Sequence, residues 1–215
     1  MIGQLLSSFP DEFHRLDRAL FQRDESGGSR AVQFTASRRF EGVTSIVLAF
    51  ATFLARLHGP QEVIVVDANL RNPAIGRILD VSPEKSLVKV LTHSCRIEAA
   101  IQAIPESGVC VIQAGTTHDR SAVESCLENL GDVLAELRKK FRYILVDSPP
   151  VIQFIDSNII SGYTDGVVIV VESNATRSEV LDDAMERLKS GGAPILGTIL
   201  NKREFHIPKW LYRYL

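Results

Sequence analysis

Six short runs of apolar, mostly β-branched residues constrain this chain more than any other feature. They are Ala31–Thr35, Glu62–Val66, Val109–Gln113, Tyr143–Val146, Gly166–Val171 and Ile195–Leu200. Each is nearly continuous in apolarity rather than alternating, the mark of strands buried on both faces of a parallel sheet. Helix-length segments lie between them. Thr44–His58 has a broad apolar face and stops at Gly59-Pro60. Ser121–Phe141 carries Val123, Leu127, Leu130, Val133, Leu134 and Leu137 close to helical spacing, and Arg177–Lys189 does the same before Gly191-Gly192. The alternation predicts βαβ units in a doubly wound α/β fold, a mostly parallel sheet flanked by helices. Asp24–Arg30 (DESGGSR) separates an N-terminal helix from the first strand.

Composition excludes several classes. At 215 residues, with 45% apolar and 23% charged residues, the chain suits one globular domain rather than disorder. Lysine plus arginine (24) against aspartate plus glutamate (26) leaves a formal charge of −2, no electrostatic basis for nucleic-acid binding. The apolar runs fall well short of the ~20 residues of a membrane helix. Met1–Pro10 has no basic segment followed by an apolar stretch, so no secretory signal is expected. Cys95, Cys110 and Cys126 share no metal-ligand spacing and are expected to be reduced thiols in an intracellular protein. The five histidines are scattered, and no G-x-S-x-G elbow is present.

In such folds ligands bind beyond the carboxyl ends of the strands. Three segments there carry polar groups: Phe34–Ser45 (FTASRRFEGVTS), Val63–Pro73 (VIVVDANLRNP) and Tyr143–Val151 (YILVDSPPV). Strand–Asp–x–Asn–Leu–Arg–x–Pro and strand–Asp–Ser–Pro–Pro together resemble the second and third nucleotide motifs of the bacterial tyrosine kinases. These enzymes are cousins of the MinD/ParA P-loop ATPases and regulate capsule and exopolysaccharide synthesis. The resemblance extends to Ala114-Gly115, to Asp165–Val171 with Thr176, to Gly197–Asn201 and to Glu12-x-x-Arg15-x-x-Arg18. It implies an N-terminal helix and linker over 1–30, a P-loop NTPase-like kinase domain over 31–204 and an aromatic tail over 205–215.

The resemblance also implies roles. Thr44, Asp67 and Asp147 would hold Mg²⁺, directly or through water, since hard cations take oxygen ligands. The residue at Asp67 is proposed in the family to accept the tyrosine hydroxyl proton, and Asp147 would hold a Mg-bound water. Asn201 matches an asparagine that reads adenine. Where the family usually has a second Asp this chain has Asn69, which keeps an acceptor but no charge, so weaker Mg²⁺ binding is expected. Glu12, Arg15 and Arg18 match an oligomerisation motif, with an ordinary solvated helix face as the alternative.

The first motif is broken. The family consensus reads S-x-P-G-E-G-K-[ST]-T, and from Ser37 this chain reads S-R-R-F-E-G-V-T-S. Glu41, Gly42 and Thr44 remain, while Arg39 replaces the proline, Phe40 replaces a glycine and Val43 replaces the lysine. Glycines let the loop backbone curl around phosphate, and Phe at φ > 0 costs roughly 1–2 kcal/mol. A unit charge ~4 Å from phosphate is worth about 4 kcal/mol at an effective dielectric near 20. No lysine precedes Lys85, so no local lysine rescues the loop. Arg38 and Arg39 are the nearby cations and either fold back onto phosphate or stay solvated. Gly42, Thr44, Ser45 and the following helix start still form a weak anion site.

The expectation is therefore a kinase-like pseudoenzyme that binds ATP/ADP and Mg weakly or not at all. It would act through a homo-oligomer or co-assembly with an active kinase, and through the cytoplasmic tails of a chain-length-determinant inner-membrane protein. Its location would be cytoplasmic, peripheral at the inner membrane through that partner. An active atypical tyrosine autokinase or ATPase, using Arg38 or Arg39, is the alternative, and a ParA-like positioning ATPase or adaptor a third. In the tail, Tyr212 and Tyr214 are candidate phosphoacceptors, or Trp210 and Tyr212 pack on the domain or a partner.

Overall fold

The structure is a computed structural model and describes residues 9–21, 28–115, 123–192 and 194–203. The tail residues Trp210, Tyr212 and Tyr214 and most of the Asp24–Arg30 linker lie outside the described residues.

All six apolar runs are strands, each within two residues of its expected bounds at either end. They are β1 (Arg30–Ala36), β2 (Val63–Asp67), β4 (Val109–Ile112), β5 (Tyr143–Asp147), β6 (Val167–Glu172) and β7 (Ile195–Asn201). A seventh, β3 (Gln102–Ile104), pairs antiparallel with β4 at one edge. The sheet order is β3-β4-β2-β5-β1-β6-β7, parallel throughout except at β3. The chain runs outward from β1 to β2 and β4, then returns to insert β5 between β2 and β1. The order thus reverses beside β5, where an open α/β sheet leaves a crevice.

Double burial explains the continuous apolarity. Ile64, Val66, Ile144 and Val146 join one core cluster, while their neighbours Val63, Val65, Tyr143 and Leu145 join the other. The second cluster is roofed by α1 (Pro10–Phe21) and α2 (Val43–His58). Phe13 of α1 stacks on Phe50 and Phe53 of α2 at centroid distances of 5.9 and 5.6 Å. The buried Asp17 meets His58 at 3.3 Å. That pairing leaves Glu12, Arg15 and Arg18 exposed on the outer face of α1.

α3 (Ile75–Ile78) adds Ile75 to this second cluster, while the opposite face is covered by short helices: α4 (Leu87–Leu91), α5 (Ile97–Ala100), α6 (Val123–Leu127), α7 (Leu130–Arg138) and α8 (Asp156–Ser161). The single helix expected over Ser121–Phe141 is two, α6 and α7. Asn129 at the break sends its Nδ2 to the carbonyl of Leu91, 2.9 Å away, so a tertiary bond interrupts a continuous apolar pattern. The last helix, α9 (Ser178–Lys189), buries Ala184 and Leu188 against β6. No helix among the described residues is long and apolar enough to cross a membrane. The three cysteines are free thiols.

Candidate functional site

The site lies where β1, β2 and β5 end. Register sets Asp67 beside Asp147, and Asp147 beside Phe34, so two carboxylates stand on adjacent strands at the reversal of strand order. Both are fully buried. Asp67 accepts the backbone N–H groups of Asn69 and Ile75, each at 3.2 Å. Asp147 Oδ2 accepts the Thr44 hydroxyl at 2.7 Å, and its Oδ1 has no hydrogen-bond partner. Burial pushes the Asp67 carboxyl up to about 7, against the opposing pull of those N–H donors. Burial, and then the charge of Asp67, holds Asp147 well above the usual carboxylate range.

This arrangement suits a hard divalent cation. A buried carboxylate oxygen without a partner, a second carboxylate on the next strand and a hydroxyl bonded to the first are the donors that Mg²⁺ takes. Among the described residues no group of three or more His, Cys, Asp or Glu could hold a metal, so most of the shell would be water or phosphate oxygen. Asp67, Asp147 and Thr44 would hold such a cation, whose charge would neutralise the acid pair. Asn69 contributes little, because its Oδ1 accepts the Asn72 N–H at 3.1 Å.

The loop Ser37–Gly42 is curled although it has only one glycine. Phe40 sits at φ 69°, the strained conformation expected of a side chain in a glycine's place, and its ring is 81% exposed. Gly42 caps α2 at φ 94°, and a Cβ there would lie 2.2 Å from Asn201 Nδ2. Side chains hold the curl. The buried Glu41 carboxylate accepts the Arg38 N–H at 2.9 Å and the Thr176 hydroxyl, and Asn201 Nδ2 donates to the Glu41 carbonyl at 2.8 Å. Asn201, expected at adenine, therefore also braces the loop.

Val43, Thr44 and Ser45 form the half-buried first turn of α2, whose N–H groups have no acceptor within the helix. Val43 brings no charge to it. Arg38 is exposed, and the exposed Arg39 lies over the Phe154 ring at 5.4 Å. Arg71, from the Asp-Ala-Asn-Leu-Arg motif, lies over the same ring at 5.4 Å and grips Asp156 through two bonds of 2.8 and 2.9 Å. It ties the end of β2 to α8, a role that the motif alone did not specify.

One cation at the loop was missed. Lys202 Nζ donates to the Phe40 carbonyl at 2.6 Å and to Glu172 Oε2 at 2.9 Å. No lysine is near in sequence, yet β7 delivers one. The available signal was its place directly after Asn201, at the end of the last strand.

No family model matches the chain. The chain is 24% identical over 203 residues to the succinoglycan biosynthesis transport protein ExoP of Rhizobium meliloti (strain 1021), an alignment covering 93% of this chain and 26% of that protein. It is 25% identical over 160 residues to the tyrosine-protein kinase ptk of Acinetobacter johnsonii, covering 74% of this chain and 22% of ptk. It thus spans about a quarter of the length of these two relatives. The tyrosine-protein kinase YwqD of Bacillus subtilis (strain 168) is 24% identical over 193 residues, 90% of this chain and 77% of YwqD. Among solved structures, the kinase domain of the Escherichia coli tyrosine kinase ETK superposes with a TM-score of 0.83 at 21% identity, covering 95% of this chain and 82% of that one. The cell division ATPase MinD of Pyrococcus furiosus gives 0.68 at 23% identity, covering 86% and 78%. The homologues of this chain are bacterial tyrosine kinases, and its fold is that of their kinase domains and of the MinD-like P-loop ATPases.

Proposed function

We propose that this chain is a tyrosine-kinase-like P-loop protein of exopolysaccharide or capsule assembly, with a nucleotide site that binds Mg·ATP or Mg·ADP weakly. It acts through protein contacts rather than efficient phosphoryl transfer. The observation that carries this reading is Val43 in the first turn of α2, beside an otherwise complete Thr44–Asp147–Asp67 cluster. Phosphoryl transfer depends on positioning and on stabilising charge spread over the transferred group, and Val43 provides none. Its partners are further copies of itself or an active kinase, and the cytoplasmic segments of a membrane protein that sets chain length. These place it in the cytoplasm at the inner membrane.

The expected result of titrating purified protein with labelled Mg·ATP is binding no tighter than the high micromolar range and negligible phosphate release. Micromolar binding with release that Asp67→Asn abolishes rejects the reading and establishes the active-kinase alternative, which the intact acid pair favours.

Contacts between copies fall to the exposed Glu12, Arg15 and Arg18 of α1, which make no ion pair among the described residues. Their charges are presented outward because Phe13, Asp17 and Leu20 hold the other face to α2. Glu12→Ala/Arg15→Ala is expected to elute later than the parent in gel filtration at low salt. Unchanged elution at every salt concentration removes this assignment.

A further inference from the structure

We infer that Lys202 supplies the ammonium group that this phosphate loop lacks at Val43. The anion it serves is a pyrophosphate moiety, free or carried by a nucleotide. The inference rests on the proposed nucleotide site and names the residue responsible for its residual affinity.

Three observations converge. First, Lys202 Nζ reaches the loop backbone itself, at 2.6 Å from the Phe40 carbonyl, across 162 residues of sequence. An ammonium so placed lies beside the turn that leads through Gly42 into the free N–H groups at the start of α2, where phosphate oxygens collect. Second, both ends of this contact are strained. Phe40 has φ 69° and Lys202 φ 53°, backbone conformations that side chains seldom adopt. Strain of this kind costs of order 1–3 kcal/mol per residue and persists at ligand clamps and switch regions. Third, the ammonium is held by an exchangeable partner. Glu172 Oε2 lies 2.9 Å away, and Lys202 remains 44% exposed. An exposed carboxylate contact of this sort is worth little. A phosphate carries more charge and more acceptor oxygens, so it displaces Glu172 from the ammonium.

Lys202 is not equivalent to a lysine at the start of α2. It approaches from the β7 side, from an exposed stem, and its charge is screened. It therefore retains an anion without compressing charge onto a transferring phosphoryl group, in keeping with weak binding and poor catalysis.

The test compares wild type with Lys202→Met, Lys202→Arg and Glu172→Gln by calorimetry, using Mg·ADP, Mg·pyrophosphate and adenosine at low salt. Lys202→Met is expected to weaken ADP and pyrophosphate by about three- to fivefold, the scale of a half-exposed charge contact. Adenosine binding should not change, and Lys202→Arg should restore most of the loss. Glu172→Gln removes the competitor and is expected to tighten pyrophosphate several-fold, which keeps the test decisive if Lys202→Met does not fold. Equal pyrophosphate affinity in wild type and Lys202→Met overturns the inference. So does a loss of adenosine affinity matching that of ADP, or undetectable pyrophosphate binding by wild type at millimolar concentration. None of these three outcomes requires efficient phosphoryl transfer, so the proposed function survives them. Tight Mg·ATP binding with rapid hydrolysis rejects that function instead, while the Lys202→Met comparison still decides the role of Lys202.

Discussion

Val43→Lys is expected to raise the affinity for Mg·ADP by about a hundredfold. The estimate starts from a unit charge near phosphate, about 4 kcal/mol at an effective dielectric near 20. Ordering the lysine side chain costs up to about 2 kcal/mol. About 2–3 kcal/mol remains, at about 1.4 kcal/mol per decade. The substitution is favourable here because the rest of the cradle is already in place. Gly42 is in its left-handed conformation, Glu41 and Asn201 hold the curl, and Thr44 is fixed on Asp147. Lysine at position 43 also begins a helix whose next residues tolerate a long straight side chain. Val43→Met, of similar reach but uncharged, is the control and should leave affinity where it was. A gain below tenfold for lysine, or an equal gain for methionine, would mean that charge at this position is not what limits binding. Phosphate release should rise with affinity in Val43→Lys and fall again in Val43→Lys/Asp147→Asn, because the second substitution removes a proposed Mg²⁺ ligand.

The sheet was legible because double burial writes itself as unbroken apolar runs, and a strand such as Val63–Asp67 has no polar face to disguise it. The acid pair was legible too, as Asp67 and Asp147 each close such a run. What escaped the sequence depends on contacts between distant segments. β3 is three residues at a sheet edge, too short to show a period. The break between α6 and α7 follows from Asn129 reaching Leu91, while the apolar spacing runs on across it. Lys202 could be assigned to the loop only once β7 was known to lie beside β6, with Asn201 opposite Glu172. The strain at Phe40 was legible from the glycine it replaces, but its remedy was not. The remedy is a set of braces from Thr176, Asn201 and Lys202, all more than 130 residues away.

Asp147→Asn is expected to stabilise the metal-free protein at pH 8 while abolishing its response to Mg²⁺. The Asp67 carboxyl is raised from 3.8 to about 7, and Asp147 is raised well above its ordinary value. Between those limits the folded protein keeps protons that the unfolded chain has released, so stability falls as pH rises through that window. Above the Asp67 value of about 7, wild type either holds a proton on Asp147 that the unfolded chain has lost or buries a second charge beside Asp67, with only neutral donors around the pair. An amide at position 147 still accepts the Thr44 hydroxyl, and it costs less to bury than a charge. The relief is on the order of 2 kcal/mol, which in a domain of this size raises Tm by about 4–8 °C at pH 8. Near pH 3.5, below the ordinary carboxylate value of 3.8, the pair is mostly protonated in folded and unfolded chain alike, and the two proteins should melt within a degree or two of each other. Millimolar Mg²⁺ supplies the same relief to wild type by binding only the folded state, so its Tm should climb at pH 8 and hardly move near pH 3.5. The variant should show neither change. Thermal melts at both pH values, with and without Mg²⁺, settle the matter. A variant less stable than wild type at pH 8, or one still stabilised by Mg²⁺, would show that Asp147 is an ordinary structural acceptor for Thr44 and no part of a cation site.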